Sequence, residues 1–296
     1  MRRIAILTLL LTAVPVVLAA GDPFSAHWHD GKAELSGYNL TVSRYGQDRV
    51  SYAVMIYVTE PFSESKRVKV DDHTKNPDDT FDALKLNLIR DFQTGIYDYN
   101  TMVSVFVRSA NFKPVKVTFT SAEWCGHVYS ELLFDETKVR SSFFSYFEDE
   151  SATRVLRRPA GGVSEDNLFI LLRGLRGDYL EPGQSKSVDY LPGVFFSRLS
   201  HTKLNWTKAT ISRRSSTEKI TVPAGEYDVI VYDVLIDERR GVFLVENAYP
   251  HRIIRWELAP DVKGELTGSK RLAYWRLNNE GGEQYLNDLG LPLAIR

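Results

Sequence analysis

Residues Lys219–Leu258, KITVPAGEYDVIVYDVLIDERRGVFLVENAYPHRIIRWEL, read as three consecutive β-strands. The first spans Glu226 to Asp237. Tyr227, Val229, Val231, Asp233 and Leu235 fall on one face, and Asp228, Ile230, Tyr232, Val234 and Ile236 on the other. Both faces are largely apolar, so this strand is expected to be covered on both sides. Pro223-Ala224-Gly225 marks a turn before it, and Glu238-Arg239-Arg240-Gly241 gives a polar break after it. Val242 to Asn247 and Arg252 to Leu258 follow as the second and third strands. This is the grammar of a long-stranded antiparallel sheet.

The same pattern runs back towards the N-terminus. Lys32 to Arg44 and Arg49 to Thr59 form a hairpin around Tyr45-Gly46-Gln47-Asp48, and Asp82 to Phe92 pairs with Gly95 to Arg108. Val115 to Thr120 is a further strand, and Val128 to Phe134 with Lys138 to Phe147 makes another hairpin. Glu60 to Asp79 reads as a polar, irregular loop. Asp149 to Gly162 reads as a connector, with Pro159-Ala160-Gly161-Gly162 as the boundary between two halves. After it, Ser164 is placed to cap a helix, with Glu165 and Asp166 in its first turn. Leu168, Leu171, Leu172 and Leu175 then repeat at the spacing of one apolar helical face. Glu283 to Leu289 reads as a short C-terminal helix. The expected fold is mainly β: a long-stranded curved antiparallel sheet, two such sheets, or a half-open barrel, with one amphipathic helix. Its parts are a signal peptide (1–20), an N-terminal β half (21–150), a connector (151–206) carrying a helix over 164–175, and a C-terminal β half (207–296).

The opening Arg2-Arg3, the apolar run Ile4 to Leu18 and the small residues Ala19 and Ala20 have the layout of a secretory signal peptide cleaved near Ala19 or Ala20. No later stretch is long and apolar enough to span a bilayer. A periplasmic or secreted bacterial protein is expected. The formal charge of −1 becomes −3 once Arg2 and Arg3 are removed, which excludes the clustered basic excess of a nucleic-acid binder. A single cysteine, Cys125, allows no internal disulfide, so stability rests on a core drawn from the 43% hydrophobic residues.

Three sets of residues carry chemistry. In Ser121-Ala122-Glu123-Trp124-Cys125-Gly126-His127, an extended chain puts Glu123, Cys125 and His127 on one face. A thiol, a base and an orienting carboxylate are the parts of a cysteine nucleophile. Neighbours two apart on a strand sit about 7 Å from each other, too far for direct proton transfer unless Gly126 bends the chain. A buried thiol beside a bulge accounts for the same residues. His27 and His29 share a face if extended, and Asp71, Asp72 and His73 sit together; either group would hold a metal only with further ligands, and both also read as wet, solvated segments. Leu168, Leu171, Leu172 and Leu175 would cover an apolar concavity. Trp124, Arg252, Arg255 and Trp256 would serve an amphipathic ligand, the arginines meeting an anionic head.

Pro223-Ala224-Gly225-Glu226-Tyr227, the Gly241 turn and Pro250-His251-Arg252-Ile253-Ile254-Arg255-Trp256 together resemble the exported bacterial proteins grouped as domain of unknown function 3108. The resemblance covers roughly Thr207 to Asn278. It implies a curved antiparallel sheet or half-open barrel, similar to periplasmic carriers in which a helix covers an apolar concavity. It brings no catalytic residues. In the N-terminal half, DFQTGIYDYN and SAEWCGHVY look like chains sometimes labelled septum formation inhibitor Maf. The chain departs from Maf proteins themselves, lacking their arginine-rich N-terminal motif and alternating α/β pattern. The expected role is non-enzymatic binding of a lipid, a lipidated partner or another apolar ligand, with no cofactor. The alternatives are an envelope module that binds a protein through a sheet edge, and a hydrolase using Cys125 and His127.

Overall fold

A computed structural model describes residues 22–259 and 262–292. The leader read over residues 1–20 lies outside the described residues. Sixteen strands are described: β1 Ala33–Arg44, β2 Gln47–Ser63, β3 Thr80–Thr94, β4 Tyr97–Arg108, β5 Pro114–Glu123, β6 Gly126–Phe134, β7 Lys138–Ser145, β8 Ala152–Arg157, β9 Val163–Ser164, β10 Ser185–Leu191, β11 Thr207–Arg213, β12 Glu218–Val222, β13 Gly225–Ile236, β14 Arg239–Glu246, β15 Ile253–Leu258 and β16 Val262–Leu272. The helices are α1 Pro23–Trp28, α2 Glu165–Leu171 and α3 Val194–Ser200.

All sixteen strands belong to one curved sheet, in the order β8-β7-β6-β5-β4-β3-β2-β1-β16-β15-β14-β13-β11-β10-β9, with β12 also paired to β13. Every pairing is antiparallel except the short β9–β10 contact. β1 pairs with β16 from Ala33↔Leu272 to Val42↔Val262, so the two halves seen in the sequence are continuous. β8 and β9 end the path without pairing to each other, and the sheet stays open there.

Alternation decides which face points inward. Leu84, Leu86, Leu88 and Phe92 of β3 join Tyr38, Leu40 and Val42 of β1 and Val103, Val105 and Val107 of β4 in one core. On β13, all four residues from Val229 to Tyr232 are buried, as two-sided apolarity requires.

α2 crosses the inner face. The Phe169 ring lies 5.2 Å from Phe243 and 5.6 Å from Trp256, and the Tyr57 hydroxyl donates to the Phe169 carbonyl at 2.9 Å. Strands from both halves therefore close on this helix. It stops at Leu171 rather than reaching 175; Gly174, at φ +59°, turns the chain, and Leu172 and Leu175 are buried from that turn. Ser164 stands at the N-cap, but its hydroxyl is buried and caps nothing.

The connector is also more ordered than its composition suggests, holding β8, β10 and α3. β2 continues to Ser63, into the stretch read as an irregular loop. The C-terminal segment Gly282–Leu289 is a 3₁₀ helix rather than an α-helix. It packs on the outer face of the sheet, where Leu289 and Leu291 join Ala33, Leu35 and Val58. Gly37 and Gly268 make that approach possible, since a side chain at either would collide with the backbone at Asp288–Leu289.

Candidate functional site

Of the residues read as a cysteine nucleophile, Glu123 is turned away from the other two. Trp124 and Cys125 form the two-residue turn between β5 and β6, with Glu123 opposite Gly126 and Ala122 opposite His127. The chain reverses where the sequence reading kept it extended, so the period-two argument fails there. Glu123 points inward and pairs with Arg198 at 2.7 Å, while His127 is exposed on the other face. The Cys125 backbone N–H donates to the Tyr97 hydroxyl at 2.9 Å, and its thiol is exposed.

The metal candidates also separate. Asp22 caps α1 by accepting from the Phe24 N–H, and Pro23 starts the helix, so His27 and His29 do not sit on an extended chain. His27 lies 3.8 Å from Glu34, and His29 lies 3.1 Å from Asp82. Asp71, Asp72 and His73 occupy an exposed loop. There Asp72 accepts from the Thr74 N–H and hydroxyl, and Asp71 lies 3.6 Å from Lys69.

Leu168, Leu172, Leu175 and Trp256 are core residues. Trp256 sits between Tyr38, Phe169 and Gly264. Arg252 makes a two-pronged pair with Glu246 at 2.7 and 2.8 Å, and Arg255 lies between Glu257 and Glu265. Trp124 is 64% exposed at its turn. Of the proposed ligand residues, Leu171 borders an open cavity.

That cavity is a cleft of about 670 Å³ beside the open seam of the sheet. Its walls are the ends of β4 and β6, the 109–113 turn, the 158–162 segment after β8, and the outward side of α2. Phe112, Phe134, Val163 and Leu171 supply an apolar floor. Asn167 is 3% exposed; its amide donates to the Phe112 carbonyl at 3.2 Å, but its Oδ1 accepts nothing. The Tyr179 hydroxyl is likewise buried without a partner. Buried polar atoms of this kind are costly unless something satisfies them. A smaller hollow, about 130 Å³, lies near Phe143, Val194, Arg198 and Leu204.

Next to the cleft, the first turn of α2 carries a buried charged cluster. Arg239 donates to both oxygens of Glu165 at 3.0 and 3.1 Å, and the Tyr190 hydroxyl donates to Glu165 at 3.1 Å. Asp166 accepts from the Val194 N–H at 3.2 Å. Burial, reinforced by the Glu165 charge, pushes the Asp166 carboxyl up to about 7. Arg90 reaches this cluster from β3, 3% exposed, with its Nε and Nη1 unpartnered and its guanidinium 4.3 Å over the Phe195 ring. Burial pulls its pKa down to about 10. A second buried pair, Glu34 with Arg173 at 2.8 Å, ties β1 to the segment after α2, and Arg173 also donates to the Pro250 and His251 carbonyls. The Glu34 carboxyl is held down at about 2: burial opposes ionisation, but Arg173 and His27 outweigh it.

The sequence reading missed these clusters, although one signal was present. Arg90 is in phase with Leu84, Leu86, Leu88 and Phe92, on the apolar face of its strand. An arginine there must find a buried anion or a ring.

No family model matches the chain, and no curated protein matches it. Among solved structures, it is similar to a β-barrel-like protein of domain of unknown function DUF1849 from Brucella abortus, with TM-score 0.46 and 9% identity over 81% of this chain and 98% of that one. A DUF1089 family protein from Pseudomonas aeruginosa gives TM-score 0.35 and 13% identity over 59% and 83% of the two chains. A protein described as exported, with a YmcC-like fold, from Bacteroides fragilis gives TM-score 0.22 and 12% identity over 80% and 95%. None of the three likenesses, at these scores and identities, assigns a role.

Proposed function

We propose that this chain is an exported, non-enzymatic binding protein that holds an apolar or amphipathic ligand in the seam cleft rather than inside the sheet. The cleft carries this reading. Its volume of about 670 Å³ lies within the usual range for small-molecule sites, and it joins an apolar floor to two unsatisfied buried polar atoms. The interior behind α2 is packed, so Leu168, Leu172 and Leu175 act by fixing the helix that forms one wall. The engagement of Glu123 by Arg198, on the face opposite His127, leaves the hydrolase alternative without its orienting carboxylate. The Arg2-Arg3 leader motif supports export to the periplasm or beyond.

One observation favours a second reading, a protein partner docked by strand addition. β8 is an edge strand, and its Val155 is 65% exposed. Native mass spectrometry of the mature protein from a periplasmic extract, followed by organic extraction, separates the two. A co-purifying lipid or other amphiphile is the expected result. A clean apo mass together with one stoichiometric protein partner would overturn the ligand reading in favour of the edge.

A further inference from the structure

We propose that the seam cleft selects amphiphiles with an anionic head, a carboxylate or a phosphate, through Lys113, Arg158 and Lys186. This rests on the reading of the cleft as a ligand site and adds a chemical class to it.

The charges on the wall do not balance. Two of its three carboxylates are already engaged. Glu64 pairs with Arg67 and Arg108, and Asp135 lies 3.6 Å from Arg67 and 3.2 Å from Arg140. The third, Glu136, is exposed. Among the described residues, Lys113, Arg158 and Lys186 line the same cleft and form no ion pair. Arg158 donates to the Asp135 backbone carbonyl at 2.8 Å and lies 5.4 Å over the Phe134 ring. Lys186 Nζ lies 5.6 Å from the Tyr179 ring. Arg158 is half-buried and feels the Asp135 charge, while Lys113 and Lys186 are exposed. The wall thus carries five cations against three carboxylates, and an incoming anion offers charge-assisted hydrogen bonds to the cations in excess. The arrangement is amphipathic in the required sense. Phe112, Phe134, Val163 and Leu171 would take a chain, while the three cations would meet a head. Asn167 Oδ1 and the Tyr179 hydroxyl would be completed by a hydroxyl or amide next to that head.

The test titrates the full mature chain with oleate, with monoolein (the same acyl chain, a neutral head), with an oleoyl lysophosphatidic acid and with inorganic phosphate. Calorimetry reads the binding. The anionic amphiphiles are expected to bind about tenfold or more tighter than monoolein, one well-placed charged contact being worth about that factor. Oleate against the lysophosphatidic acid tells carboxylate from phosphate. In K113E/K186E, a surface change with little bearing on the fold, the preference is expected to disappear while monoolein affinity holds. Rising salt is expected to erode the preference in the wild type. Equal affinity for oleate and monoolein would overturn head selection and leave the cleft reading standing. Binding of none of the amphiphiles would overturn both. Tight binding of inorganic phosphate alone would also overturn the proposal, marking an ion site with no use for the apolar floor.

Discussion

Replacing Asp166 with Asn should stabilise the folded protein at mildly alkaline pH and change it little below about pH 4. The Asp166 carboxyl pKa rises from 3.8 to about 7 on folding. The folded state then holds a proton that the unfolded chain gives up between those values. Stability therefore falls as pH rises through that window, and the penalty is complete above about pH 7. At about 1.4 kcal/mol per pH unit, the ceiling is roughly 4 kcal/mol. Asn is neutral at every pH, nearly the same shape, and keeps an oxygen to accept the Val194 N–H. The variant is therefore expected to be flat across the window and roughly 2–4 kcal/mol more stable than wild type at about pH 8. Urea unfolding of both proteins at several pH values measures this, and the difference between them cancels the histidines that titrate in the same range. A wild-type-minus-variant difference that stays constant from about pH 5 to pH 8 would mean that Asp166 carries its charge at both ends, and would rule out a carboxyl that folds protonated.

Two other substitutions test the packing around α2. Glu34→Gln leaves the Arg173 charge buried without its counter-ion and should cost about 3–5 kcal/mol in urea unfolding. In wild type the same pair makes stability present above pH 4.5 and lost as pH falls towards about 2, a dependence the Gln variant should not show. Gly264→Ala drives a methyl group into the buried Trp256 ring across the β15–β16 pair and should cost about 1–3 kcal/mol, with red-shifted tryptophan emission. Wild-type stability in that variant would mean that the Trp256 ring has room to move.

Much of the sheet was legible because hairpins write themselves locally. Tyr45 and Gly46 both take positive φ at the β1–β2 turn, and Gly46 is the residue that signals it in the sequence. β13 was legible from its two apolar faces. The β1–β16 pairing was not, because it joins residues more than two hundred positions apart and no local pattern encodes it. β8 was hidden by its composition: Ala-Thr-Arg-Val-Leu-Arg is an edge strand that buries little beyond Leu156, and its arginines read as linker. The leucine stripe correctly marked a helix against the sheet, but it overstated the helix length, since a turn at Gly174 buries Leu175 as well as another helical turn would. The cleft was the least legible feature. Its cations come from the 109–113 turn, the 158–162 segment and β10, and only the fold brings those stretches to one wall. The Pro159-Ala160-Gly161-Gly162 stretch, read as a boundary between halves, falls at the seam where the sheet path ends.

The pairing of β1 with β16 also sets an order of events. During synthesis, β1 to β8 emerge as a run of neighbouring hairpins that can form one after another. β1 meanwhile keeps a bare row of N–H and C=O groups, with nothing to cover them until residues 262–272 arrive. The middle of the finished sheet is thus the last part to be sealed. Until then the half-made protein presents a long, sticky edge, the kind that recruits other chains.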